Sequence, residues 1–149
     1  MAAIMSMTPF QIVIDTNVLV AAIRSQRGAS YRLLMQLGAD PRWQMNLSTP
    51  LVLEYVEVIM REGKRLGYSE ANLNKFLDSI CATGCERAVY FSWRPYLRDP
   101  DDDFLLDLAV AANADHIITH NKRHFAESGK FGIVILTPRE FLQKLGDPI

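Results

Sequence analysis

Gln11-Ile12-Val13-Ile14-Asp15-Thr16-Asn17 is the stretch on which the reading of this chain turns. Gln11 to Ile14 is a short β-branched run that stops at an aspartate, which reads as a buried strand. The apolar segment Asn17 to Arg24 continues as a helix, and Gly28 breaks it. Ser30 to Leu37 reads as a second helix, stopped by Gly38, and Trp43 to Leu47 as a second strand. Thr49-Pro50 is a helix start, with Thr49 as N-cap and Pro50 at the first helical position. That helix runs to about Leu66, with Leu51, Tyr55, Val58 and Ile59 toward the core, and Gly67 ends it. Ser69 caps a further helix carrying Leu73, Phe76, Leu77 and Ile80 on one face. Ala88 to Ser92 alternates and reads as a third strand before a Trp-Arg-Pro turn. Asp99-Pro100 opens a helix that carries Asp101, Asp102, Asp103, Phe104, Leu105, Leu108, Ala109 and Ala112 and fades at Asn113. His116 to Thr119 and Ile133 to Leu136 are the fourth and fifth strands. Thr137-Pro138 starts a closing helix to about Leu145. Strands alternating with helices predict an α/β sandwich around a mainly parallel sheet, in one domain spanning residues 1–149.

Composition limits the function classes. The chain has 149 residues, 49% hydrophobic, enough to bury a substantial core. No apolar run approaches the roughly 20 residues of a membrane span. The opening Met-Ala-Ala-Ile-Met-Ser-Met has no basic region and no apolar core, so no secretory signal is expected and the cytoplasm is the expected compartment. Cys81 and Cys85 lack the spacing and neighbouring histidines of a zinc site and read as partly buried thiols. With 16 basic and 17 acidic side chains, overall charge does not attract nucleic acid. Such a partner needs a local basic patch or metal ions.

Ligands of an open parallel sheet bind beyond the carboxyl ends of the strands. Asp15 stands at such an end. A lone aspartate there is often only a turn or cap residue. Asp102 lies in the first turn of a helix, where one acid is favoured by the helix dipole. That reason does not extend to Asp99, Asp101, Asp102 and Asp103 together, whose mutual repulsion is relieved by a cation. Glu54 stands in a largely apolar stretch, where an unpaired buried carboxylate is expensive. Asn121 follows the fourth strand and can offer an amide oxygen. Three carboxylates and one amide oxygen suit Mg²⁺ or Mn²⁺, and such a site suits phosphodiester hydrolysis. Neither a phosphate-binding glycine loop nor a Gly-x-Ser-x-Gly nucleophile elbow is present.

Ile12-Val-Ile-Asp-Thr-Asn-Val-Leu-Val20, the Leu47 to Arg61 stretch carrying Glu54, the Asp99 to Asn121 stretch, and Gly132 to Leu142 together resemble the PIN-domain family. Within it, the chain resembles the VapC-like ribonuclease toxins of toxin–antitoxin pairs. The resemblance implies a three-layer fold with a central parallel sheet of about five strands. It implies Asp15, Glu54 and Asp102 as catalytic metal-binding acids, with Asp103 and Asp99 as rivals of Asp102. The family's fourth acid is Asn121 here, which removes one negative charge and favours a single ion over two. Thr16, Asn17 and Thr119 match positions that hold the acids in place by hydrogen bonds. Implied as well are an RNA substrate, an antitoxin partner and a homodimer, with apolar residues on the helices from Ser30 and Ser69 able to offer an interface.

His116, His120 and His124 are spaced by four, yet the intervening strand should separate them and spoil a transition-metal site. Basic residues cluster at Arg24 and Arg27, at Arg61, Lys64 and Arg65, and at Lys122 and Arg123. The first and third clusters flank Asp15 and Asn121 in sequence, so Arg24, Arg27, Lys122 and Arg123 are the expected RNA contacts. Tyr55, Trp93 and Phe125 could stack on bases but read better as core. The rival function is a PIN fold that binds RNA or protein with little catalysis, motivated by Asn121. A haloacid-dehalogenase-like phosphatase is disfavoured, because Asn17 stands where that pattern needs a second aspartate.

Overall fold

The structure is a computed structural model that describes residues 8–89 and 100–147; at 100–103, 126–128 and 130 it describes the backbone alone. Among the described residues five strands form one parallel sheet: β1 (Phe10–Ile14), β2 (Trp43–Leu47), β3 (Cys85–Glu86), β4 (His116–Ile118) and β5 (Val134–Leu136), in the order β3-β2-β1-β4-β5. The helices are α1 (Thr16–Arg24), α2 (Ala29–Leu34), α3 (Thr49–Arg65), α4 (Glu70–Thr83), α5 (Pro100–Ala111) and α6 (Pro138–Leu145), with a 3-10 segment at Lys122–Phe131 kinked at Phe125. This is the α/β architecture that the alternating pattern predicts.

Strand order fixes where the helices go. The chain steps leftward from β1 to β2 to β3 and then crosses back to β4 and β5. Right-handed crossovers in opposite directions place α1 to α4 on one face and α5 with the 3-10 segment on the other. The direction reverses between β1 and β4, the switch point where parallel sheets open a crevice. Ile12, Val13, Ile14, Ile117 and Ile118, all at 0% exposure, fill the centre of the sheet, and helix-borne Leu19, Leu51, Tyr55, Ile59, Leu105 and Leu108 pack around them.

Several expectations shift by local chemistry. The cap of α3 is Ser48, whose hydroxyl accepts from Leu51 N–H, so Thr49-Pro50 already lies inside the helix. Val58 lies half-buried, while Gly63 takes the next core position. Gly63 is needed there because a Cβ would stand 2.3 Å from Leu73 on α4. Gly67, at φ 92°, ends the helix as expected. Helix α2 stops at Leu34, before Leu37. The third strand is Cys85–Glu86 rather than Ala88 to Ser92: Asn46 and Leu47 of β2 pair with Cys85 and Glu86. Of the expected strand, Ala88 and Val89 carry no strand pairing, and residues 90–92 lie outside the described residues, as do Trp93 and Asp99. Cys85 is half-buried, but Cys81 is exposed. Tyr55 and Phe125 are core, as expected.

The amino-terminal end of the sheet is closed by α6. Thr137 and Glu140 form a capping box at its start. Trp43, Phe10 and His116 meet Phe141 edge-on or tilted, and Arg42 joins Asp40 to Asp147. His116 Nδ1 lies 2.9 Å from the Val134 carbonyl and its Nε2 lies 3.0 Å from Lys144 Nζ. A carbonyl on one side and an ammonium on the other select the neutral ring with its hydrogen on Nδ1. Burial pushes the His116 pKa below its ordinary value and the Lys144 charge adds to this, against the Val134 carbonyl and Asp115.

A lowered folded-state pKa means that the unfolded chain takes up the proton first as pH falls. The stabilising share of neutral His116 is therefore complete above about pH 6.5 and is lost as pH drops below it. Urea titrations between pH 7 and pH 5 should show a steeper loss of midpoint for the natural chain than for His116→Gln. Equal slopes would refute it.

Candidate active site

The parallel pairing of Ile14 with Ile118 ends β1 and β4 at the same level. Asp15 N–H donates to the Ile118 carbonyl at 2.9 Å, and Thr119 N–H donates to Leu136 at 2.9 Å. Asp15 and Thr119 therefore leave the sheet side by side, both buried. Thr119 Oγ1 donates to Asp15 Oδ2 at 2.8 Å and accepts from Asn121 N–H at 3.0 Å. Asn17 Nδ2 donates to Asp15 Oδ2 at 3.2 Å, while Asn17 Oδ1 accepts from His120 N–H at 3.3 Å. Thr119 and Asn17 thus hold one carboxylate from two strands' ends.

Glu54 enters from α3, one turn in, and its Oε2 accepts the Thr16 hydroxyl hydrogen. The Tyr55 hydroxyl donates to the Ile14 carbonyl, which pins that same turn of α3 to the last residue of β1. Burial, and then the charges of Asp15 and Glu54, push the Tyr55 phenol well above its ordinary pKa, so it stays a hydrogen-bond donor. Burial likewise raises the Asp15 carboxyl above the usual carboxylate range. The Thr119 hydroxyl, the Thr16 and Asn17 N–H groups and His124 pull it back only partly.

Asp15, Glu54 and Asn121 line one groove of about 810 Å³. His120 and His124 line it too, and His120 Nε2 lies 3.0 Å from the hydroxyl of buried Ser30 on α2. His116 is at the start of β4, so the strand separates it from the other two, but His120 and His124 line the same groove rather than standing apart as expected. Asp102 is placed by topology. Helix α5 leads into the start of β4, so its C-terminus is at the amino edge of the sheet. About 18 Å of helix then carries its first turn toward the carboxyl edge, where Asp15 lies. The Asp102 and Asp103 side chains lie outside the described set, as does Asp99 altogether.

Basic residues distribute differently from their order in sequence. Arg24 lines the groove. Lys122 is engaged by Glu140 of α6 at 3.0 Å. Arg27 and Arg123 are exposed and do not line the groove. Arg61 and Glu62 do, and the choice of clusters by sequence flanking passes over them. The signal was present: Arg61 and Glu62 are seven and eight residues beyond Glu54, two turns along one helix face.

The donor set tests whether a hard cation fits. Carboxylate and amide oxygens are the ligands Mg²⁺ and Mn²⁺ take, and a buried Asp15 whose ionised form is disfavoured gains most from a cation. Among the described residues no group of three or more acids, histidines or cysteines gathers at a metal-sized point. Asp15 and Glu54 supply two, and the Asp101 to Asp103 side chains lie outside the described residues. The residues fit the group.

A family model described as PIN domain matches residues 11–123. None of the curated proteins matches the chain. Among solved structures, a chain of the crystal structure of VapBC2 from Rickettsia felis bound to a DNA fragment from their promoter is similar at a TM-score of 0.58 and 17% identity. The match covers 84% of this chain and 98% of that one. At that identity the likeness is one of fold.

Thr119→Val should cost about 1–3 kcal/mol of unfolding free energy, because buried Asp15 loses the nearer of its two described side-chain donors. Asp15→Asn should move the other way in EDTA, since it removes a charge that burial disfavours. Urea denaturation of both variants checks the opposite signs.

Proposed function

The chain belongs to the PIN domain family, and from that membership we propose that it is a metal-dependent endoribonuclease that cuts single-stranded RNA, the toxin of a toxin–antitoxin pair. One observation carries the reading. A buried, hydrogen-bonded carboxylate, Asp15, stands at the switch point of a parallel sheet and shares a groove with Glu54.

Asp15, Glu54 and Asp102 would hold Mg²⁺ or Mn²⁺, with the Asn121 amide oxygen assisting. Such an ion, when bound, offsets phosphate charge and lowers the pKa of the attacking water. The protein supplies the rest. Thr119 and Asn17 fix the Asp15 carboxylate so that no reorganisation is needed on binding. Thr16 does the same for Glu54. Tyr55 locks α3 to β1, which sets the distance across the groove. Arg24 contacts the RNA backbone from the groove wall, with Arg27, Lys122 and Arg123 on the surrounding surface. Lys122 must leave Glu140 to do so.

The toxin assignment is supported by the shared fold of a solved VapBC2 chain. An antitoxin would inhibit by covering the groove or placing a basic side chain among the acids. A homodimer and a cytoplasmic site of action belong to the same reading. No helix among the described residues is long and apolar enough to cross a membrane.

Asn121 favours a second reading, a PIN fold that binds RNA with weak or no turnover. Its neutral amide leaves the groove one charge short for holding a second ion. Incubating single-stranded RNA with Mg²⁺, Mn²⁺ or EDTA separates the two. The nuclease reading expects cleavage only with metal, a fall on the order of 10³-fold in Asp15→Asn, and a fall of roughly 10–100-fold in Thr16→Val. Asn121→Asp should lower the metal concentration for half-maximal activity. RNA bound but intact in every arm, with the fold confirmed, would establish the binding module instead.

A further inference from the structure

Thr16 and Arg24 are eight residues apart on α1, and Glu54 and Glu62 are eight apart on α3. Eight residues is just over two turns, so each pair shares a helix face at a spacing of about 12 Å. The helices are tied at both levels: Thr16 to Glu54 at the acidic end, and Arg24 Nη2 to Glu62 Oε1, 3.2 Å apart, at the other. The second level is a cluster. Glu62 Oε2 also accepts from Arg65 Nη1 at 3.2 Å and from Arg61 Nε at 3.4 Å. Arg61 Nη1 lies 3.9 Å from Glu57.

The Glu62 side chain is 14% exposed, whereas those of Arg24, Arg61 and Arg65 are 58%, 58% and 74% exposed. A covered carboxylate thus holds three guanidiniums that reach solvent. Three cations set against Glu62 and the outlying Glu57 leave a surplus of one positive charge. Exposed ion pairs add little to stability. A fold-stabilising role is therefore a poor account of three arginines gathered on one acid, two of them on the wall of the groove that holds Asp15 and Glu54.

We propose that Arg24, Arg61 and Arg65, positioned by Glu62, form a subsite for backbone phosphates of a single-stranded RNA whose scissile phosphate lies at the acidic end. This inference rests on the nuclease reading of the groove. The acids repel a phosphate until a cation arrives, so much of the attraction for the strand must come from elsewhere along it. Guanidiniums carry five N–H donors in a fork that matches phosphate oxygens, and the bonds within the cluster engage only some of them. The span of about 12 Å corresponds to roughly three to four nucleotides at ~3.4 Å per stacked residue. A dinucleotide does not reach from one end to the other, and an octanucleotide does.

Anisotropy of labelled RNA, measured in EDTA to stop hydrolysis, tests the subsite on the full chain. Arg24→Gln/Arg61→Gln should weaken octanucleotide binding about tenfold or more. It should also reduce the slope of log affinity against log salt by roughly 1.4, two phosphates at ~0.7 each. Dinucleotide affinity should change far less. Lys75→Gln/Arg139→Gln removes the same charge away from the groove and should leave octanucleotide affinity near that of the natural chain. Arg24→Lys/Arg61→Lys should keep the salt slope and lose part of the affinity, because an ammonium cannot fork onto a phosphate. With Mn²⁺ present, KM for the octanucleotide should rise more than kcat falls.

Equal weakening by the two charge-removing pairs would overturn the proposal in favour of diffuse attraction. Stronger competition by polyglutamate than by unlabelled RNA would overturn it in favour of an acidic protein partner. Metal-dependent cleavage whose KM is untouched by Arg24→Gln/Arg61→Gln would overturn the subsite alone. A natural chain that neither binds nor cleaves RNA would overturn the nuclease reading with it.

Discussion

One backbone hydrogen bond, from Asp15 N–H to the Ile118 carbonyl, sets Asp15 beside Thr119 at the carboxyl edge of the sheet. It fixes the register of β1 against β4, and parallel register leaves no freedom of one residue: a slip would turn Asp15 to the wrong face and part it from Thr119. With the register held, Thr119 reaches the Asp15 carboxylate, Asn17 spans the gap, and Asn121 is drawn in through its own N–H on the Thr119 hydroxyl. Glu54 depends on a separate tie, the Tyr55 hydroxyl on Ile14, so both acids are indexed to the same end of β1.

Indexing a carboxylate in this way has an energetic cost. Asp15 is buried, its ionised form is disfavoured, and the side chains that donate to it among the described residues, Thr119 and Asn17, are neutral. The core beneath compensates, with Ile12, Val13, Ile14, Ile117 and Ile118 all removed from water. The groove is also electrically polar along its length. Acids cluster at the sheet edge and arginines two turns down the same two helices. A polyanion would be drawn to one end and would need a cation at the other.

Much of the fold was legible because its signals are local. Trp43 to Leu47 reads as a strand from its own residues and is one. Thr137-Pro138 announces a helix, and the capping box with Glu140 forms. The short edge strand was not legible, because Cys85–Glu86 is a strand only through Asn46 and Leu47 of β2. Ser48 and Thr49 are both competent caps, and the choice between them depends on how β2 ends. For the site, Asp15 stood out by its place at a strand's carboxyl end and Glu54 as an acid where acids are expensive, and the groove contains both. The basic residues were harder. Nearness in sequence to Asp15 and Asn121 suggested Lys122, yet Glu140 holds it, whereas Arg61 reaches the groove from a remote segment through helical periodicity.

The site's defining contacts join residues very far apart along the chain: Thr119 to Asp15 across 104 positions, and Asn17 to Thr119 across 102. Closing a loop of that size must precede any reward from the contacts it makes. Thr119 in turn leans on Leu136 of β5 for its backbone partner. During synthesis, then, the first aspartate emerges early and waits for more than a hundred residues before its partners exist. The pocket cannot be complete before Thr119 and Leu136 have been made, and a chain that stops short of them is structurally incapable of whatever chemistry the finished groove performs.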